Sequence, residues 1–181
     1  SFPTRRSSDL LLAYHAAEIK RIKSGRMVNE IDVIEWIWAR EVSSLPNGTQ
    51  CSSFLQLMAD HQAQNYSIGV SVNVFNIGEL APVDVLKSGK LIVEHGEKLF
   101  FQHDMFGDWA RFKLILGQIT NARAYLLSKE ILSPLWMRAI RLYGVFLIEG
   151  DSEGSGWKRA IDTLEKTDPK AKIIQDILLE S

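Results

Sequence analysis

Residues 91–116 read LIVEHGEKLFFQHDMFGDWARFKLIL, and along this stretch the spacing of apolar residues changes from about two to about 3.6. Leu91–Val93 and Leu99–Phe101 are short runs of β-formers. Glu94-His95-Gly96-Glu97 supplies the turn between them, with Gly96 free to take a positive φ. After Gln102-His103-Asp104, the residues Met105, Trp109, Phe112 and Leu116 fall on one helical stripe, with Phe106 and Ala110 beside it. Asp104 stands where a helix start needs an acceptor for its free N–H groups and a negative charge against its dipole. The pattern predicts a β-hairpin that runs directly into a helix. His103 then occupies a fixed, partly exposed corner.

On the N-terminal side the spacing predicts a helix over Leu11–Lys23, a break at Ser24-Gly25, and a second helix over Val28–Val42. The second carries Ile31, Ile34 and Trp38 on one stripe and Val33 and Ile37 on another. Leu45-Pro46-Asn47-Gly48 is a breaker. A third helix is expected from about Ser52 to Gln64, with Phe54, Leu57, Met58 and His61 inward. Ile68, Val70, Val72 and Val74 alternate strictly and predict a strand. Ile77–Lys87 reads as one or two short helices around Pro82, ended by Gly89. Helix, strand, short helices and hairpin, in that order, describe a winged-helix module over residues 51–116.

On the C-terminal side everything reads as helix. Ile119–Glu130 is one, and Ser133-Pro134 supplies a cap and an N1 proline for the next, Leu135–Glu149. That segment, LWMRAIRLYGVFLIE, is apolar nearly all round, which predicts burial on both sides. GDSEGSG at 150–156 reads as a flexible loop, followed by helices over Trp157–Lys166 and Pro169–Leu179, the last with Ile173, Ile174, Ile177 and Leu178 clustered. Residues 118–181 thus resemble the start of an α-solenoid, without a visible fixed-period repeat. The expected fold is mainly α: an N-terminal helical pair at 11–48, a winged helix with a small hairpin wing, and a solenoid-like helical array.

Composition narrows the classes of function. A net charge of −1 offers no global attraction to nucleic acid or anionic lipid. The single cysteine, Cys51, excludes an internal disulfide framework and suits a reducing compartment, so a cytoplasmic location is expected. No apolar run reaches the roughly 18 residues that span a bilayer. The first ten residues, SFPTRRSSDL, resemble over their whole length one reading frame of a common sequencing-library adapter. They are expected to be a processing scar outside the fold. The chain would then start inside a longer protein, and the helical array could run past Ser181.

The residues that carry chemistry are sparse. No glycine-rich turn ends in Gly-Lys-Ser/Thr, and Gly154-Ser155-Gly156-Trp157-Lys158 has neither the spacing nor the hydroxyl of a P-loop. His15, His61, His95 and His103 are scattered, without a His-x-x-x-His or a cysteine pair for a metal. Cys51 has no local nucleophile signature and reads as structural. His61 reads as a hydrogen-bonded core residue, and His95 as a solvated turn residue. Asp104 and Asp108 lie four apart on one helix face and read as a cap and a solvated side chain. The chain by itself is expected not to be an enzyme.

Phe101-Gln102-His103-Asp104-Met105-Phe106-Gly107-Asp108-Trp109-Ala110 nevertheless resembles a specific pattern. It is similar to the His-Asp motif in the winged-helix domain of STAND-class signalling NTPases, relatives of NB-ARC and NACHT proteins. That pattern is a hairpin strand, His-Asp, an apolar pair, then Asp with an aromatic or apolar residue and alanine. The resemblance implies that His103 contacts the β-phosphate of bound ADP and clamps a closed, inactive state, and that Asp104 holds the adjacent hinge. A helix N-terminus favours anions and a nearby histidine can donate to phosphate, so the chemistry is consistent. Weaker likeness extends over residues 28–150, through Trp36-Ile37-Trp38, Phe54–Gln62, Pro134-Leu135-Trp136 and 138–144. Two departures stand out: Gln102 replaces the commoner methionine, arginine or alanine before the histidine, and no nucleotide-binding core precedes it.

The family resemblance implies a fragment of an ATPase that lacks Walker A and Walker B motifs. Residues 11–48 would be the end of a helical lid, and 118–181 the start of a sensor that takes a protein ligand. ADP or ATP would bind only with the absent N-terminal nucleotide-binding domain, and bacterial relatives often serve antiviral defence or signalling. A DNA-binding winged helix is the alternative, but its recognition segment, Pro82–Lys90, offers only Lys87 and Lys90 against Asp84. Its wing has Lys98 alone against Glu94 and Glu97, a poor match for phosphates. A helical protein-interaction scaffold is the third reading. One consequence is directly measurable: deleting residues 1–10 should change the free energy of unfolding by about 0.5 kcal/mol or less in urea titration. A loss above roughly 2 kcal/mol would place the segment in the fold.

Overall fold

The computed structural model describes residues 29–129, 132–150, 155–162 and 168–181. The expected Leu11–Lys23 helix and the adapter-like segment lie outside the described residues. Among the described residues the protein is mainly helical, with one small three-stranded antiparallel sheet. It divides into two compact units, one ending at 58 and resuming over 68–107, the other formed by 59–67 and the residues from 108 onward.

In the first unit, α1 (Glu30–Trp38) starts at Asn29, whose side chain accepts the Asp32 N–H at 2.7 Å. This is an N-cap of the ordinary asparagine kind. Ile31, Ile34, Ile37 and Trp38 are buried, so the two stripes read from sequence merge into one face. The helix does not run straight to Val42. Ala39–Ser43 form a single wider π-turn. Asn47 (φ 55°) then reverses the chain into α2 (Gly48–Gln64), which starts four residues before the expected Ser52. Within this unit α2 buries Cys51, Phe54, Leu55 and Met58. The Trp38 indole N–H donates to the Ser52 hydroxyl at 3.3 Å, and the Phe54 and Phe75 rings lie 4.9 Å apart. The Cys51 thiol is buried and reduced, and burial pushes its pKa up, as suits a packing residue.

The alternating Ile68–Val74 segment is not a full strand. Only Val70–Ser71 pair as β1, and Val72–Val74 curl into a 3₁₀ turn. The Ser71 hydroxyl accepts the Asn73 N–H and so competes with continued pairing, while Ile68 and Val74 are left exposed. After α3 (Val83–Ser88) the chain turns at Lys90, which takes φ 56° where Gly89 remains right-handed. The strands β2 (Ile92–His95) and β3 (Lys98–Phe101) pair from Ile92↔Phe101 to His95↔Lys98, giving the order β1-β3-β2. The hairpin turn is therefore only Gly96-Glu97. Gly96 takes φ 61°, as a tight hairpin demands, and Glu94 and His95 belong to the strand.

The α4 helix (Asp104–Gly117) follows β3 after two residues. Its helical phase agrees with the sequence at Met105, Phe106, Trp109, Ala110 and Phe112, all buried. At its end Ile115 is buried and Leu116 only half-buried, because a 3.6-residue repeat drifts off a strict four-residue stripe. In the α2 helix the inward residues in the second unit are Ala59, Gln62 and Ala63, and the expected Leu57 and His61 are half-buried.

The second unit continues through a 3₁₀ turn (Ile119–Asn121) into α5 (Ala122–Leu127), which replaces the single helix expected there. Next come α6 (Leu135–Glu149), α7 (Ser155–Asp162) and α8 (Pro169–Leu179). Pro134, not Ser133, holds the capping position of α6, and the buried Ser133 hydroxyl makes no hydrogen bond. α6 is not buried on both sides. Trp136, Ala139, Ile140, Leu142, Tyr143 and Gly144 are covered, while Met137, Arg138, Arg141 and Ile148 are exposed. It packs on α7 and α8. A Cβ at Gly144 would lie 3.2 Å from the Leu178 side chain and closer still to Ser181, so the glycine permits the close approach of α8. Asp168 caps α8 by accepting the Lys170 N–H at 2.8 Å, with Pro169 at N1, while Ile173 of the expected cluster is exposed and Ala171 takes its place inside.

Two buried cations organise this unit. Arg111 is 2% exposed; its guanidinium donates to Asp108 at 2.8 Å, to the Gln62 side-chain carbonyl at 3.0 Å and to the Ala59 carbonyl at 3.3 Å. The Lys129 ammonium pairs with Asp60 at 2.7 Å and stands 4.2 Å from the Tyr125 ring centroid and 5.3 Å from that of Trp136. Burial works against the lysine charge, but Asp60 and Tyr125 outweigh it and hold its pKa above the ordinary value. Removing one partner of a buried, hydrogen-bonded charge leaves the rest desolvated without compensation. Arg111→Ala should therefore lower the unfolding free energy by about 3–5 kcal/mol, read by urea denaturation followed through tryptophan fluorescence. A change within about 0.5 kcal/mol would mean the guanidinium is not held as described.

Candidate functional site

The corner that carries His103 is built from three backbone constraints. The Gln102 N–H donates to the Leu91 carbonyl at 2.9 Å, which extends the hairpin one step past its last paired residues. The Leu91 N–H in turn donates to the Leu86 carbonyl at 3.0 Å, tying the start of β2 to α3. On the other side, the His103 carbonyl accepts the Phe106 N–H at 3.1 Å and begins the first turn of α4. Strand and helix are thus joined with no slack. His103 immediately precedes the helix, and Asp104 is its first residue.

The two side chains sit in different surroundings. His103 is half-buried, its Nδ1 is shielded from solvent without a hydrogen-bond partner, and its ring lies 6.4 Å from that of Phe106. Phe106 is itself 6.5 Å from the Trp38 ring. Desolvation in this aromatic setting pushes the imidazole below its ordinary value of 6.5, while the neighbouring Asp104 charge works the other way. The imidazole is therefore neutral near pH 7, able to donate from one nitrogen and accept at the other. Asp104 is exposed, with its carboxylate at the positive end of the α4 dipole. Asp108, one turn on, is not a solvated side chain as expected from sequence but the partner of buried Arg111, with Arg138 at 3.8 Å.

His95 is exposed at the end of β2, its ring 5.7 Å from that of Phe100. His61 is half-buried on α2. Among the described residues no group of three or more His, Cys, Asp or Glu side chains is placed to hold a metal ion. No described helix is long and apolar enough to cross a membrane. Lys87, a cation of the alternative DNA-reading segment, is engaged by Glu94 at 2.9 Å and by Asp84 at 3.0 Å, and both raise its pKa. Sequence reasoning missed Arg111, Gln62, Asp60 and Lys129. The trace of the first was an arginine set between Ala110 and Phe112 on an apolar stripe, three residues after an aspartate. Asp60 and Lys129 are 69 residues apart and leave no local trace.

No family model matches the chain, and neither a curated protein nor a solved structure gives a significant match.

The lowered pKa of His103 has a definite sign. The unfolded chain takes up a proton near 6.5 and the folded chain only at lower pH, so folding is opposed as pH falls through that interval. Wild type should lose stability between about pH 7.5 and about pH 5.5, and His103→Gln should lose less. Parallel urea titrations at the two pH values measure the difference. An equal loss in both proteins would show that the imidazole is not desolvated.

Proposed function

We propose that this chain is the regulatory part of a STAND-like signalling ATPase, in which residues 51–116 form a winged helix that holds ADP through His103 and Asp104. The single observation that carries the reading is the His103 corner: a neutral imidazole with a shielded, unpartnered Nδ1, rigidly joined to the start of a helix. A neutral imidazole can donate a hydrogen bond to a phosphate oxygen from one of its nitrogens, and the helix N-terminus adds a favourable field. The order of helix, short strand, short helix and hairpin, with β3 central in the sheet, supports the winged-helix assignment. The paired helices α6, α7 and α8 support a solenoid-like sensor that would continue the array. The internal pairing of Lys87 speaks against the DNA-binding alternative, since a cation already held by two carboxylates has little to offer a phosphate.

In this reading the nucleotide-binding domain is supplied by the parent protein, and the chain contributes no catalytic residue. His103 and Asp104 stabilise the ADP-bound state, and a protein ligand on the C-terminal helices relieves it. The two events oppose each other across one two-state equilibrium. A Walker A motif in the coding sequence upstream of Leu11 is the expected companion of this fragment.

His103→Ala in the full-length parent should speed ADP dissociation and raise basal signalling while leaving folding stability nearly unchanged. One charge-assisted hydrogen bond of about 1.5–3 kcal/mol corresponds to a tenfold to hundredfold change in affinity. Asp104→Ala should act in the same direction with a larger loss of stability, through its place in the first turn of α4. ADP release and signalling output are measured side by side for the three proteins. Unchanged ADP affinity in a destabilised His103→Ala protein would make the histidine structural and end this reading.

A further inference from the structure

The two ring nitrogens of His103 are in unequal surroundings. Nδ1 is shielded from solvent and meets no hydrogen-bond partner, whereas Nε2 is not so enclosed. The backbone bonds fix where the residue stands, and its aromatic neighbours decide how the ring is turned. The ring lies 6.4 Å from that of Phe106, tilted by 40°, and Phe106 lies 6.5 Å from Trp38, tilted by 50°. Both separations are those of interacting aromatic pairs. The Phe106 N–H donates to the His103 carbonyl at 3.1 Å, so one bond sets the spacing of the first two rings. Phe106 and Trp38 are buried, and the Trp38 indole N–H is tied to the Ser52 hydroxyl at 3.3 Å. Phe106 is therefore a fixed wall, backed through Trp38 by α1 and α2. A proton on Nδ1 would be a shielded N–H without an acceptor, a rare arrangement in folded chains. The proton belongs on the other nitrogen.

We infer that Phe106, backed by Trp38, is a positioning residue of the His103 corner: it turns the imidazole so that Nδ1 stays bare and Nε2 carries the proton and is left to meet a ligand. Which nitrogen of a histidine is protonated is set by what the other one faces. Here the other faces a shielded, partnerless space. The ring then offers a ligand one N–H donor, while its bare nitrogen is out of reach. The corner selects a hydrogen-bond acceptor, such as a phosphate oxygen, and passes over a donor such as an amine. The step to phosphate rests on the proposed nucleotide contact of His103 and Asp104; the position of the proton does not.

The test is long-range nitrogen–proton NMR of the nitrogen-labelled 181-residue chain at about pH 8, where an ordinary histidine is uncharged. In wild type the His103 ring should be protonated on Nε2 and bare on Nδ1, with the exposed His95 as the reference within the same chain. Phe106→Leu removes the ring and keeps an apolar side chain. Its His103 nitrogens should shift toward the mixed tautomers of His95, and those of Trp38→Phe should shift the same way by less. A phenylalanine with a merely structural role would lower stability and leave the proton on Nε2. Cooperative thermal unfolding checks that each variant is folded, and if Phe106→Leu is not, wild type and Trp38→Phe decide. Protonation on Nδ1, a wild-type mixture equal to that of His95, or a tautomer unchanged in every folded variant overturns the inference. A wild-type ring protonated on Nε2 and shifted in the variants upholds it, and unchanged ADP release from His103→Ala in the parent would then remove the nucleotide reading alone.

Discussion

Burial of the Arg111 guanidinium is the constraint around which the second unit is arranged. A cation at 2% exposure is tolerable only where acceptors hold it, and those of its terminal nitrogens come from two helices far apart in sequence. Asp108 is supplied by the preceding turn of α4, but Gln62 and the Ala59 carbonyl come from the end of α2. A fork of donors with fixed geometry leaves α2 and α4 little freedom to slide or rotate at this level. Lys129 repeats the device with a different chemistry, an ammonium held by one carboxylate and two aromatic faces. Both cations convert helices with ordinary apolar faces into helices of one register.

The first unit reaches definition by another route. Its sheet is small and β1 contributes only two residues, so the backbone connections around the hairpin do what a larger sheet would otherwise do. The two-residue turn at Gly96-Glu97, the bond from Gln102 to Leu91 and that from Leu91 to Leu86 link α3, β2 and β3 into one piece. His103 inherits its position from that piece and not from contacts of its own. Its Nδ1 is shielded from solvent and makes no hydrogen bond, and its ring lies 6.4 Å from that of Phe106.

The two carboxylates of the motif helix show how position outweighs residue type. Asp104 and Asp108 are four residues apart on the same helix, yet one is exposed at the helix start and the other anchors a buried arginine. Any functional reading that treats them as a pair is therefore misplaced. Asp104 lies next to His103 at the start of α4, and Asp108 pairs with Arg111 further along it.

Local pattern was enough to read the hairpin, the abrupt passage into α4, the burial of Met105, Phe106, Trp109 and Phe112, and the limits of α6 and α8, because turn glycines and helical periodicity act over a few residues. The corner position of His103 was legible for the same reason. Other features were decided only in three dimensions. The alternating Ile68–Val74 segment pairs over two residues because a strand needs a neighbour as well as a pattern, and the Ser71 hydroxyl ends it. Helix α6 exposes Met137 and Ile148 because burial depends on how many helices pack against it, and its composition is silent on that number. The engagement of Arg111 with Gln62 and that of Lys129 with Asp60 arise from side chains distant in sequence. Desolvation and hydrogen-bond closure are properties of the packed chain, and no spacing of residues along a line encodes them.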